Sequence, residues 1–234
     1  MAEASAPVYK PKKFDLSGLK GISDRTLELH FKLYEGYVQN TNKLVEQLDE
    51  LARSGKAAST NPAYAEITRG LGFEYNGMIL HEYYFGNLKR QPSAQPSAEL
   101  RRSLEQYFGG MDNFMADFKA IGGMRGVGWA ILFQDPVTGK LSNHWITLHQ
   151  NGHPAGFKPL LVMDVWEHAF MLDYAPAERA KYIDAFFANV DWDAVNERFT
   201  APAAKRPAET ESGRRVTEPV AEDRRGKAQA LGFD

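Results

Sequence analysis

Asp164-Val-Trp-Glu-His168 sets a carboxylate and an imidazole four residues apart. Over one helical turn that spacing sends both side chains to the same side, so both can reach one ion. A carboxylate with neutral imidazoles suits Mn, Fe or Zn and fits Ca or Mg poorly. The plain structural alternative is an aspartate that caps a helix and pairs with a nearby histidine. His81 lies among Met78, Ile79, Leu80, Tyr84 and Phe85, and His30 lies on or beside an apolar helical stripe. For each of these two, a hydrogen-bonded core histidine is the competing reading. Together the four residues form a three-histidine, one-aspartate set, drawn from two helices and one strand–helix junction.

The elements that must position this set follow from local pattern. Ser23 is a good N-cap, Asp24 suits the positive end of a helix dipole, and Ile22 can staple to Leu27. Apolar residues then recur at Leu27, Phe31, Tyr34, Val38, Val45, Leu48 and Leu51, a helical period that Ser54-Gly55 ends. A second helix is expected from about Pro62 to Phe85, stopped by Gly86-Asn87, and the two form a hairpin. After the connector Gln91–Ser97 the pattern changes to mixed α/β. Helices are expected at Ala98–Phe108 and Met111–Ile121, and strands at Val127–Gln134, Lys140–His149 and Pro159–Asp164. Three further helices are expected at Trp166–Leu172, Ala177–Ala188 and Trp192–Arg198. The fold class is therefore α+β: an N-terminal helical hairpin followed by an α/β domain with a three-stranded antiparallel sheet. The divisions are an extended arm at 1–20, the hairpin at 21–92, the metal-binding α/β domain at 93–200 and a charged tail at 201–234.

Composition narrows the chemistry. The 234 residues are 43% hydrophobic, 12% aromatic and 25% charged, values of a globular chain with enough length for a real core. Cysteine is absent, which excludes disulfides, thiolate catalysis and sulfur ligation, so a metal must be held by nitrogen and oxygen. Only six histidines can supply that nitrogen. A net charge of -2 argues against a nucleic-acid role. No apolar run approaches the roughly 18 residues of a membrane helix. The first residues lack the basic and apolar regions of a signal peptide, so a cytoplasmic location is expected. The stretch 201–234 carries seven Lys/Arg and six Asp/Glu but only four large apolar residues, and is expected to be disordered.

Asp164-Val-Trp-Glu-His-Ala-Phe170 followed by Leu172-Asp-Tyr174 resembles the iron/manganese superoxide dismutases. His81 before Glu82-Tyr-Tyr84, Gly128-Trp-Ala130 and Asn189–Phe199 match the same family in the same order, over about Val8 to Thr200. The resemblance implies one Mn or Fe ion per subunit, with His30, His81, Asp164 and His168 as ligands and a fifth position left open. It implies conversion of superoxide to dioxygen and hydrogen peroxide, the metal cycling between +3 and +2. Zinc would bind such ligands but could not change oxidation state. Outside the ligands, Gly77 stands where iron-type members place a glutamine. The resemblance instead points to Gln150, with His149 as the alternative, as partner of the metal's solvent ligand. Tyr37 matches the family's active-site tyrosine, and Glu167 a residue that supports the partner's ligand across a homodimer or dimer of dimers.

The match departs from the family in two places. Tyr37 stands seven residues after His30 rather than eight, a difference of about 100° around an ideal helix. The gateway histidine and its tyrosine partner correspond to Tyr34 and Met171, which implies an altered entrance. Two other functions stay open on sequence: a metalloprotein of this fold with weak activity, and an interaction protein working through its charged tail.

Overall fold

A computed structural model describes residues 9–92 and 95–202; the expectation for the tail falls almost wholly outside them. Helix α1 (Asp24–Arg53) starts where the Ser23 hydroxyl accepts from the Thr26 N–H at 3.1 Å. Asp173, distant in sequence, clamps the same end by accepting from Ser23 N and the Thr26 hydroxyl. The inward face of α1 is Leu27, His30, Tyr34, Val38 and Thr41, the period of a helix with one buried stripe. Helix α2 (Pro62–Phe85) is capped by Asn61 with Pro62 at its first position, and buries Met78, Leu80, His81, Tyr84 and Phe85 against α1 and the sheet.

Beyond the hairpin come α3 (Ala98–Phe108) and α4 (Met111–Gly122), divided by a left-handed Gly109. An antiparallel sheet follows: β1 (Gly128–Gln134), β2 (Leu141–Thr147) and β3 (Lys158–Asp164), in the order β2-β1-β3. The central strand is apolar on both faces and wholly buried from Gly128 to Phe133, as a strand covered from both sides must be. Register places Trp129 opposite Asp164 on one neighbour and opposite Ile146 on the other. The chain closes with α5 (Arg179–Phe187) and α6 (Trp192–Thr200). Among the described residues no helix is long and apolar enough to cross a membrane.

Asn87 joins the hairpin to the sheet. Its side chain donates to the Val162 carbonyl and accepts from the Val162 N–H, both at 3.0 Å, so it pairs with β3 as a strand would. Arg198 supports it by donating to Asn87 Oδ1 and to the Leu160 carbonyl.

Three local expectations are corrected. No α-helix runs from Trp166 to Leu172; Trp166 is extended and only a 3₁₀ turn at Glu167–Ala169 follows. The Asp164 carboxylate takes the Trp166 N–H at 2.8 Å and so turns the chain before a helix can begin. The helix expected at Ala177–Ala188 is divided into a 3₁₀ turn at Pro176–Glu178 and α5. β2 stops at Thr147, two residues early, because Leu148 adopts φ +56° and Thr147 pairs with Asn151 across a tight turn.

Candidate metal centre

His30, His81, Asp164 and His168 come together, with one ligand atom from each lying within 4.8 Å of all the others. Three of the four sit on regular elements: His30 on α1, His81 on α2 and Asp164 at the last position of β3. His168 is carried by the 3₁₀ turn that Asp164 itself sets up. Asp164 Oδ2 stands 3.1 Å from Nε2 of both His30 and His168, and 3.6 Å from Nε2 of His81. Its second oxygen is occupied by the Trp166 N–H, and its carbonyl accepts from the Tyr182 hydroxyl at 2.7 Å. Both carboxylate oxygens thus have fixed neighbours, and Tyr182 holds the backbone that carries them.

His81 decides between ligand and core histidine. Its Nδ1–H donates to the Gly77 carbonyl at 2.6 Å, which leaves Nε2 as a bare lone pair pointed at the cluster. That nitrogen is buried and has no hydrogen-bond partner. A core histidine satisfies its polar atoms, because an unmet buried acceptor costs about 1–3 kcal/mol. A metal ion accepts such a lone pair directly, and a ligand histidine anchored through its other nitrogen is the usual arrangement.

The electrostatics suit a cation. Burial pushes the Asp164 carboxyl up, but His168 and then His30 outweigh it and hold Asp164 well below the usual carboxylate range. Burial drives His30 down and His81 much further down, favouring the neutral imidazoles that a metal requires. Three imidazole nitrogens and one carboxylate oxygen fit a borderline first-row ion such as Mn, Fe or Zn.

An aromatic wall adjoins the set on one side. The Tyr37 ring centre lies 5.1 Å from that of His81, and its hydroxyl oxygen lies 2.8 Å from His149 Nε2. Gly77 makes room for this ring: a Cβ there would sit 2.7 Å from Tyr37 Cδ1. Helix α1 runs without interruption, and Tyr37 meets the site seven residues after His30. His149 is buried, packed between Phe73 at 4.5 Å and Trp166 at 4.6 Å, and receives a hydrogen bond from Trp129 Nε1–H at 3.1 Å. Burial lowers its pKa to about 4.

The remaining expectations meet a different outcome. Gln150 is not drawn toward Tyr37; its Oε1 accepts from the His149 backbone N–H at 3.3 Å. The left-handed Leu148 turns His149 inward, which sequence pattern alone does not reveal. Tyr34 is buried, but its hydroxyl donates to Glu82 Oε1 at 3.0 Å and accepts from Lys12 N at 2.9 Å, away from the ligand atoms. A cavity of about 440 Å³ beside His168 is lined by Leu29, Leu33, Met171 and Leu172, with Glu167 at its edge. Leu33, and not Tyr34, faces Met171 there. Its position three residues after His30 was the available signal, since i and i+3 share a helix face. Phe73 and the hydrogen bond of Trp129 also went unforeseen.

Comparison with known proteins agrees with this geometry. The family described as iron/manganese superoxide dismutases, alpha-hairpin domain, matches residues 14–89, and the corresponding C-terminal domain matches residues 96–198. The chain is 40% identical over 184 residues to "Superoxide dismutase [Fe]" of Aquifex pyrophilus, covering 77% of this chain and 85% of that protein. It is 34% identical over 203 residues to "Superoxide dismutase [Mn]" of Haloarcula marismortui, covering 85% and 96%. A "Superoxide dismutase [Mn/Fe]" of Propionibacterium freudenreichii subsp. shermanii is 33% identical over 192 residues, covering 80% and 93%. With both domains matched in order and relatives alike over most of their length, the chain belongs to the iron/manganese superoxide dismutase family.

Proposed function

We propose that His30, His81, Asp164 and His168 hold one Mn or Fe ion and that the protein is a superoxide dismutase. The observation that carries this reading is the buried, unpartnered Nε2 of His81, aimed at the carboxylate that His30 and His168 share. Bound Mn or Fe supplies a +3/+2 couple that takes an electron from one superoxide and gives it to another, yielding dioxygen and, with two protons, hydrogen peroxide. The chain supplies the rest. Asp164 offsets part of the ion's charge; the Trp166 N–H fixes its carboxylate and Tyr182 holds its backbone carbonyl. Tyr37 and His149 are the polar pair in an otherwise aromatic wall, and are the groups that would orient an anionic oxygen and handle protons. Phe73, Trp129 and Trp166 limit the water that can enter beside them. Loading the protein with Mn or Fe, quantifying the bound metal and following superoxide decay tests this. A fully loaded protein no faster than buffer overturns it.

The same reading makes the protein a homodimer, joined through the face that carries His168. Met171 and Leu172 are 43% and 58% exposed beside an apolar cavity, and such contiguous exposure marks an association surface. Glu167 is exposed at the same place, where it can reach a partner. Sedimentation at micromolar concentration is expected to give a dimer or a multiple of it; a monomer would overturn the assignment.

A further inference from the structure

A cavity of about 430 Å³ opens between the end of α4, the loop into β1 and the start of α5, and it shares no residue with the metal-ligand set. Its charged lining is three cations, Lys119, Arg125 and Arg179, against one carboxylate, Asp184. Lys119 is paired with that carboxylate at 2.6 Å. Arg179 is spent on the backbone: its Nη groups donate to the carbonyls of Met124 at 2.7 Å, Gly126 at 2.9 Å and Val165. Carbonyls satisfy donors without cancelling charge, so the guanidinium stays a full cation, and its buried Nε–H has no partner. Arg125 is exposed and, among the described residues, makes no hydrogen bond or ion pair. Two uncompensated positive charges thus line one cavity in a chain whose net charge is -2.

Beside these charges the lining is apolar. Pro176, Ala180 and Ile183 supply it, the last two lying three residues apart on one face of α5. An arginine offers a planar fork of N–H donors that matches an oxyanion, and a cavity of this size holds a small molecule. A monoanion leaves one of the two charges unmet, whereas a phosphate monoester carries roughly −1.5 to −2 at neutral pH. We propose that this cavity binds an organic phosphate monoester, its phosphate held by Arg125 beside Arg179 and its apolar body by Pro176, Ala180 and Ile183. Inorganic phosphate brings the charge without the body, so the apolar lining sets a preference between the two. The proposal stands independently of the dismutase reading, because no ligand of the metal centre takes part.

Titrating phenyl phosphate and inorganic phosphate into the full chain tests this, with backbone amides followed by nitrogen-15 NMR at low ionic strength. The chain is loaded with Zn²⁺, a diamagnetic ion suited to the same donors, so that the metal centre is filled. Phenyl phosphate is expected to give saturable shifts at Gly123, Arg125, Ala180 and Asp184, and to bind more tightly than inorganic phosphate. Arg125→Gln is expected to weaken binding by about tenfold, the scale of one charge-assisted contact. Asp184→Asn removes the competing carboxylate and frees Lys119, so it should tighten binding. Both positions are exposed, and an unchanged spectrum away from the cavity confirms that each variant folds. Arg179 is left in place because it ties three carbonyls together. No saturable shift up to about 10 mM phenyl phosphate, or shifts confined to the surroundings of His81 and His168, overturns the proposal. So does an affinity that Arg125→Gln leaves unchanged or that Asp184→Asn fails to tighten. Inorganic phosphate bound as tightly as phenyl phosphate also overturns it, since that is general attraction to positive charge.

Discussion

The two walls beside the candidate metal centre are built differently. The inner wall, formed by Tyr37, Phe73, Trp129, His149 and Trp166, is closed within one chain: Trp129 and His149 are fully buried, and each polar ring atom of His149 has a neighbour. The outer wall is Leu29, Leu33, Met171 and Leu172, with an apolar cavity and two of its four members exposed. One side is thus ready for proton and anion chemistry in the isolated chain. The other is an unfinished apolar surface that gains stability when covered. The comparison teaches that the candidate ligand set and its hydrogen-bonded wall are complete within a single chain, whereas the apolar side beside His168 is left partly open in it.

The largest effect is expected from removing a proposed ligand that adjoins the inner wall. His81→Ala is expected to abolish metal binding and superoxide decay together, as measured by elemental analysis and pulse radiolysis. A variant that kept its metal and lost only stability would make His81 a core residue. A smaller effect is expected on the inner wall. His149→Ala removes the hydrogen-bond partner of Tyr37 but none of the four proposed ligands, so metal content should persist while activity falls by about 10–100-fold, the usual scale for groups that orient a metal site. Gln150→Ala in the same assay should stay near wild type, because its side chain is turned to the local backbone. The opposite ranking would return the solvent-facing role to Gln150.

A third test uses acid on the metal-free protein. Folding holds His30, His81 and His149 below the ordinary 6.5, and Asp164 below the ordinary 3.8. In every case the folded chain binds fewer protons than the unfolded one, so stability must fall as pH falls. Loss begins near the ordinary histidine value and continues through the carboxylate range. Melting temperatures are therefore expected to drop from pH 7 to pH 4, and zinc at fixed free concentration should oppose the drop until the ligands protonate. A flat profile would mean that the inner cluster is more open to water than its burial implies.

How much of this was legible before the fold was known depended on whether chemistry or backbone set the position. His30 and His81 lie on buried helix faces, and periodicity suffices to bring such residues together. Asp164 and His168 were found by a spacing argument that assumed a helix, yet the chain is extended at Trp166 and makes only a 3₁₀ turn. Their meeting survives because the aspartate's own hydrogen bond turns the backbone. His149 was harder to place. Its direction depends on a left-handed Leu148, a conformation a β-branched or bulky residue rarely adopts and one that no local pattern announces. The partners of Tyr34 were hidden for a related reason: helical spacing fixes its face but not the carboxylate and backbone N–H that engage its hydroxyl.

The smallest effect, on the outer wall, separates an unfinished surface from ordinary surface leucine. Leu172 is 58% exposed in the single chain, so Leu172→Ser should cost an isolated subunit no more than about 0.5 kcal/mol. If a second copy covers the wall, the same change forfeits apolar burial on both subunits at about 25 cal/mol per Å². The loss then appears only where the dimer is populated. Melting of wild type and variant should coincide at concentrations where both are monomeric, and diverge by a few degrees as protein concentration rises, because association stabilises by mass action. Coincidence at every concentration would place the dimer contact elsewhere or remove it. A difference already complete in the dilute limit would mean that Leu172 packs within its own subunit, and the contrast between the two walls would disappear.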